Sequence, residues 1–201
     1  MGTLEKSESA QSGSVPKSLW GGCLVAVIAG PLGIGLASLS PPWPAGEASK
    51  FVTGLATLAS VVSFLVVLIR TGVRGNRITR ATWQFSSGLV GLIFYALTSF
   101  GFVSTVSQQH DGREESVTIV RGFTYTPDAL SVIKQQGPSV QGLVDALGVE
   151  ENIWTWESLY MVRVALILLF CAAFCALSAG LANAILAVSD NRRARVLAEG
   201  P

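Results

Sequence analysis

Residues 51–69 contain no charged side chain, and that run constrains the fold more than any other feature of the chain. About twenty consecutive apolar residues are what an α-helix needs to cross the hydrocarbon core of a bilayer. Comparable apolar runs lie at 19–40, 84–106 and 158–188. Only 13% of the 201 residues are charged, against about 25% in a soluble domain. The sequence therefore predicts an all-α integral membrane protein, a four-transmembrane-helix bundle with its second span at 51–70. A small α+β extracytoplasmic insertion, a strand plus two short helices, is expected at 107–157 between the third and fourth spans.

Residues 1–18 are rich in Ser, Gly and mixed charge, which reads as a disordered cytoplasmic tail. Lys17 ahead of an apolar run resembles the start of a signal peptide. The run at 19–40 has the length of a full span, so an uncleaved first helix is expected. Gly30, Pro31, Gly33 and Gly35 predict a kink in it. Ala29, Gly33 and Ala37 recur every four residues, and Ala172, Ala176, Gly180 and Ala184 do the same in the fourth run. Small residues at that spacing let helix backbones approach closely, so both sets are assigned to helix packing. Pro41, Pro42 and Pro44 end the first span.

Charge sets the orientation. Arg70, Arg74, Arg77 and Arg80 follow the second run with no acid among them, and Arg192, Arg193 and Arg195 follow the fourth. Arginine clusters at span ends mark the cytoplasmic side, and they can also meet anionic lipid head groups. Both termini are then cytoplasmic in a plasma (inner) membrane, with 189–201 as a basic tail and 107–157 outside. The latter stretch carries seven acids, Asp111, Glu114, Glu115, Asp128, Asp145, Glu150 and Glu151, against Arg113, Arg121 and Lys134. Trp43, Trp154 and Trp156 are expected as anchors at the outer interface.

Within the displayed stretch, 107–115 reads as a polar linker. Val117, Ile119, Phe123 and Tyr125 share one parity, which argues a half-buried strand over 116–125 with a bend at Arg121 and Gly122. Thr126 and Pro127 open a helix that Gly137 stops, with Ala129, Leu130 and Ile133 on its inner face. Ser139 caps a second helix, with Val140, Leu143, Val144 and Leu147 at helical spacing and Gly148 at its end. So small a domain rarely holds a core alone, and its strand edge needs cover. The expectation is that it packs on the membrane or on another subunit.

The order strand, helix, helix and closing segment resembles a LysM glycan-binding module. The residues that carry the likeness lie at 117–122, 126–133, 137–147 and 153–159. The family's Gly-Asp-Thr-Leu turn is replaced by Gly122, Phe123, Thr124, Tyr125, Thr126 and Pro127. No binding residue is carried over from it.

Catalytic chemistry finds no constellation in the sequence. His110 is the single histidine and sits beside Asp111. Glu114 with Glu115 and Glu150 with Glu151 are adjacent acids that point apart on a strand or loop, and they would bind Ca²⁺ only if folding brought them together with carbonyls. Cys23, Cys171 and Cys175 lie in apolar runs and offer neither a disulfide framework nor a metal spacing. Neither a cofactor nor a metal is expected. Two polar residues stand inside the fourth run: Arg163, expected to snorkel outward as an anchor, and Asn183, expected to hydrogen-bond between helices. The net charge of +1 gives no basic face for nucleic acid. The expected partners are the lipid bilayer and either further copies of the chain or another membrane protein. The function that follows is non-enzymatic: a multi-pass sensor or accessory subunit displaying an interaction domain. The alternative is an oligomeric effector or pore-forming protein, of bacterial defence or toxin type, that perturbs the membrane.

Overall fold

The computed structural model describes residues 26–28, 30, 47–70, 76–110 and 113–198. Most of the expected first span, including Ala29, Gly33 and Ala37, lies outside the described residues, as do Trp43, Arg74 and the N-terminal tail. The fold is mostly helical, with one two-stranded sheet. Its elements are α1 (Glu47–Ile69), α2 (Arg77–Phe102), β1 (Val103–His110), β2 (Arg113–Val120), α3 (Pro127–Gln136), α4 (Val140–Leu147), α5 (Glu150–Ile153) and α6 (Trp156–Ala198).

Three helices are long and apolar enough to cross a membrane, over Phe51–Ile69, Arg77–Phe102 and Trp156–Asn191. Several of their hydroxyls are satisfied locally. Thr57 donates to the Thr53 carbonyl (2.8 Å), Ser60 to Ala56 (2.7 Å) and Thr98 to Phe94 (2.7 Å), each one turn back. Leu58, Val62, Phe94, Leu97 and Leu168 are exposed on the outer faces, an arrangement that suits lipid better than water.

The helix α6 is the spine, packing against both α1 and α2. Its contact with α2 is close because both helices spend glycines there. A Cβ on Gly88 would fall 2.7 Å from Leu177, and one on Gly180 would fall 3.1 Å from the Phe85 backbone nitrogen. The small-residue line is therefore shifted from the expected one. Ala173 and Gly180 face α2, whereas Ala172 is exposed and Ala176 and Ala184 are half-buried. On the other side, Ser63 of α1 donates to the Cys175 carbonyl (3.1 Å). Val27, from the described part of the first span, joins Phe64, Ala182 and Ile185 in one cluster.

The displayed region departs from expectation at its start. Residues 103–106 are not the last turn of a span, and 107–115 is not a linker. Residues 103–110 form the first arm of an antiparallel hairpin and 113–115 open the second, in register from Val103 opposite Val120 to His110 opposite Arg113. The predicted strand over 116–125 ends at Val120, and the bend expected at Arg121 and Gly122 falls at Phe123 and Thr124. At the bend Phe123 turns out to solvent, while Tyr125 makes a single bridge to Trp154.

Both short helices follow their punctuation. Thr126 accepts from the Ala129 amide (3.2 Å) and Ser139 from that of Gly142 (3.3 Å). Gly137 and Gly148 end them with φ of 85° and 81°, the left-handed region that glycine enters without cost. Ala129 is buried, but Leu130 faces outward. The LysM-like closing segment does not pair with the main strand, whose partner is β1.

Candidate functional site

The displayed domain solves its small-core problem within the chain. Leu159, Val162 and Leu166 from the first turns of α6 share one core with Ile119, Val120, Ala129, Leu143, Ile153 and Trp154. That core continues down the bundle through Phe170 and Phe174, with Tyr95 of α2 packed on Phe170 at 5.2 Å between ring centroids. The strand edge is covered from inside as well. The Gln141 amide accepts from the Ser107 N–H (3.2 Å) and donates to the Ser107 carbonyl (2.7 Å), as a neighbouring strand would. The Asp145 carboxylate accepts from the Gln141 amide at 2.9 Å and holds it in place.

At the centre of this junction stands Arg163. It does not snorkel, being only 8% exposed. Its guanidinium makes a salt bridge to the Glu150 carboxylate on α5. The other carboxylate oxygen of Glu150 accepts the Val120 backbone N–H at 2.7 Å. One carboxylate thus ties the end of the hairpin, helix α5 and the third turn of α6 together. A buried charge is tolerated only when paired and hydrogen-bonded, and this arrangement supplies both.

The neighbouring segment closes over the same place. Thr155 donates its amide to the Thr124 carbonyl (2.9 Å), and Thr126 donates its own to the Ile153 carbonyl (3.0 Å). Gly122 lies so close to Trp154 that an added Cβ would come within 2.7 Å of the Trp154 Cβ. Trp154, expected as an interface anchor, is instead a core residue 1% exposed, with Tyr125 stacked on it. Trp156 is exposed and stacks on Tyr160.

The opposite end of the bundle gathers the arginines. Arg70 follows α1, and Arg77 and Arg80 lie in the first turns of α2. All three line one cavity of ≈ 210 Å³ with Val67, Gln84, Asn183 and Leu186. Asn183 donates to the Gln84 side-chain carbonyl at 2.8 Å, joining α6 to α2. Arg77 meets Asp190 at 3.3 Å. Arg195 is exposed on the last turns of α6, which continues through the expected basic tail, carrying Arg192 and Arg193 in its backbone.

The sequence singled out Arg163, Asn183 and the arginine clusters, but not the residues they meet. For Glu150 there was a partial signal: a lone cation in an apolar helix requires a nearby acid. Seven acids in the displayed stretch left the choice open. Among the described residues, no three His, Cys, Asp or Glu side chains are grouped so as to hold a metal ion. The class these features define is a helical protein with three candidate membrane spans and a hairpin domain clasped to the longest of them. Compared with known proteins, the chain matches no family model, no curated protein and no solved structure.

Proposed function

We propose that this chain is a non-enzymatic multi-pass membrane protein, a sensor or accessory subunit whose extracytoplasmic hairpin domain receives a binding partner. In this reading both termini are cytoplasmic, and the fourth span carries the state of the domain across the membrane. The observation that supports it is the Glu150–Arg163 pair, set in a core that runs unbroken from the hairpin into α6. A domain that only needed tethering could hang on a flexible linker. This one is fused to a helix of 43 residues, about 65 Å at 1.5 Å per residue and twice the hydrocarbon thickness.

Hydrogen exchange tests the coupling. Glu150→Gln should speed exchange at the Val120 amide and across residues 156–166 together. Loosening of the hairpin alone, with α6 still protected, would remove the basis for signal transfer. The competing reading, an oligomeric pore-forming effector, rests on the exposed Ala172, which offers α6 a small-residue face for another helix. Depolarisation of cells overexpressing the chain would favour that reading.

A further inference from the structure

Among the described residues, the cavity at the arginine end gathers more cations than carboxylates. Arg70, Arg77 and Arg80 contribute three cations to its wall. Among the described residues, the carboxylate paired with them is that of Asp190, on Arg77, and its side chain is 54% exposed. The backbone adds to the excess. Helix α2 begins at Arg77, so the positive end of its dipole points to the same place, and its first turn contains no acid. A helix start favours anions and disfavours cations, yet here two arginines occupy it.

The remaining wall is selective. The Asn183 amide N–H₂ is engaged by the Gln84 side-chain carbonyl (2.8 Å) and the Ala179 carbonyl (3.2 Å). That leaves the Gln84 N–H₂ as the donor amide of the cavity. Val67 and Leu186 give it apolar flanks. Its ≈ 210 Å³ is below the roughly 300–1,000 Å³ of sites that enclose a drug-sized ligand, so the occupant is a small group. Guanidinium groups match phosphate oxygens two at a time, and a phosphate monoester near neutral pH carries a charge of about −1.5 to −2. Among the described residues, Arg70 and Arg80 stand beside the Arg77–Asp190 pair as two further cations to set against that charge.

We propose that this cavity binds a phosphate monoester dianion. The group has two sources, the head group of an anionic lipid or a free phosphate species, and it is held by Arg70, Arg77 and Arg80 with Gln84 as the neutral donor. This site is separate from the domain clasp and stands or falls without it.

The test uses the full chain purified in neutral detergent and in nanodiscs. Binding of inorganic phosphate is titrated in detergent by thermophoresis, and nanodiscs with and without phosphatidic acid are read by native mass spectrometry for lipid retained on the protein. The expected result is saturable binding in at least one arm. Retained phosphatidic acid without phosphate binding identifies the lipid source, and phosphate binding without retained lipid the soluble one. Arg80→Gln and Arg70→Gln, both at exposed positions, should each weaken binding about fivefold, the worth of one basic residue at an anionic surface. Arg195→Gln removes the same charge from the end of α6 and should leave affinity within about twofold. Absence of binding in both arms, or an Arg195→Gln loss equal to that of Arg80→Gln, overturns the proposal. Circular dichroism on each variant keeps a folding defect from passing as either outcome.

Discussion

Arg163 and Arg77 both sit at an end of the long helix bundle, and both meet a carboxylate, but the two ends use charge in opposite ways. At the hairpin end one arginine is matched to one acid, and the pair is sealed, with side-chain exposures of 10% and 12%. At the other end three arginines share a cavity, and among the described residues the acid paired there is Asp190, 54% exposed against 11% for its partner Arg77. A sealed, matched pair fixes geometry, because neither charge can leave without stranding the other. At the arginine end the exposed Arg70 and Arg80 stand beside the Arg77–Asp190 pair, and exposed cations fix little geometry. On the proposed reading, structural work falls to one end of α6 and anion recognition to the other.

The largest expected effect comes from breaking the sealed pair. Glu150→Gln keeps an acceptor for the Val120 amide but leaves the Arg163 charge buried without its counterion. Removing one member of a buried pair costs about 3–5 kcal/mol, so the hairpin domain should melt well before the bundle in neutral detergent. Replacing both members, Glu150→Leu with Arg163→Met, should cost less than the single change, since no charge is then stranded. If the double variant is the less stable one, the pair contributes stability of its own and the comparison between the two ends must be redrawn.

A steric prediction follows at the same end and is smaller. Gly122→Ala would drive a methyl group toward the Trp154 Cβ, 2.7 Å away, and onto the Ser158 hydroxyl. The hydroxyl can rotate aside, but the Trp154 Cβ is fixed by a core side chain. Overpacking of this kind costs about 1–3 kcal/mol, measurable as a lower domain melting temperature. Adding Ser158→Gly should not restore it. Full rescue would show that the hydroxyl, rather than the tryptophan, sets the need for glycine.

What the sequence made legible was the punctuation and the apolar periodicity. Thr126, Ser139, Gly137 and Gly148 marked both short helices because capping and left-handed termination are local chemistry. The three described candidate spans were legible for the same reason: a strongly apolar run of sufficient length has few other fates. Strand β1 was hidden because Val103 and Val106 extend the apolar run of α2, while Ser107, Gln108 and Gln109 read as loop. Its identity depends on pairing with β2 and on Gln141 covering its edge, both set by tertiary contact. Trp154 and Arg163 were misplaced together. Each was judged against a flat membrane surface, whereas the first turns of α6 lie inside the domain core and replace that surface with protein. The cavity was half legible: Arg77, Arg80 and Gln84 share one helix face by spacing, but Asn183 and Asp190 arrive from a helix about a hundred residues later.

The smallest effect expected on stability belongs to the solvated end, and it separates the two ends most directly. Asp190→Asn removes the acid that Arg77 meets at 3.3 Å. Because that carboxylate is mostly in water, the pair is worth about 0–1 kcal/mol, and thermal unfolding should scarcely move. The charge removed is nonetheless part of the balance around the proposed phosphate site. Taking it away raises the positive excess, so phosphate affinity should rise about two- to threefold in low salt and converge on the unmodified protein as salt screens the difference. A large loss of stability would make Arg77 and Asp190 a second structural clasp and erase the asymmetry between the ends. A fall in phosphate affinity would mean that Asp190 orients Arg77 toward the anion more than it competes with it.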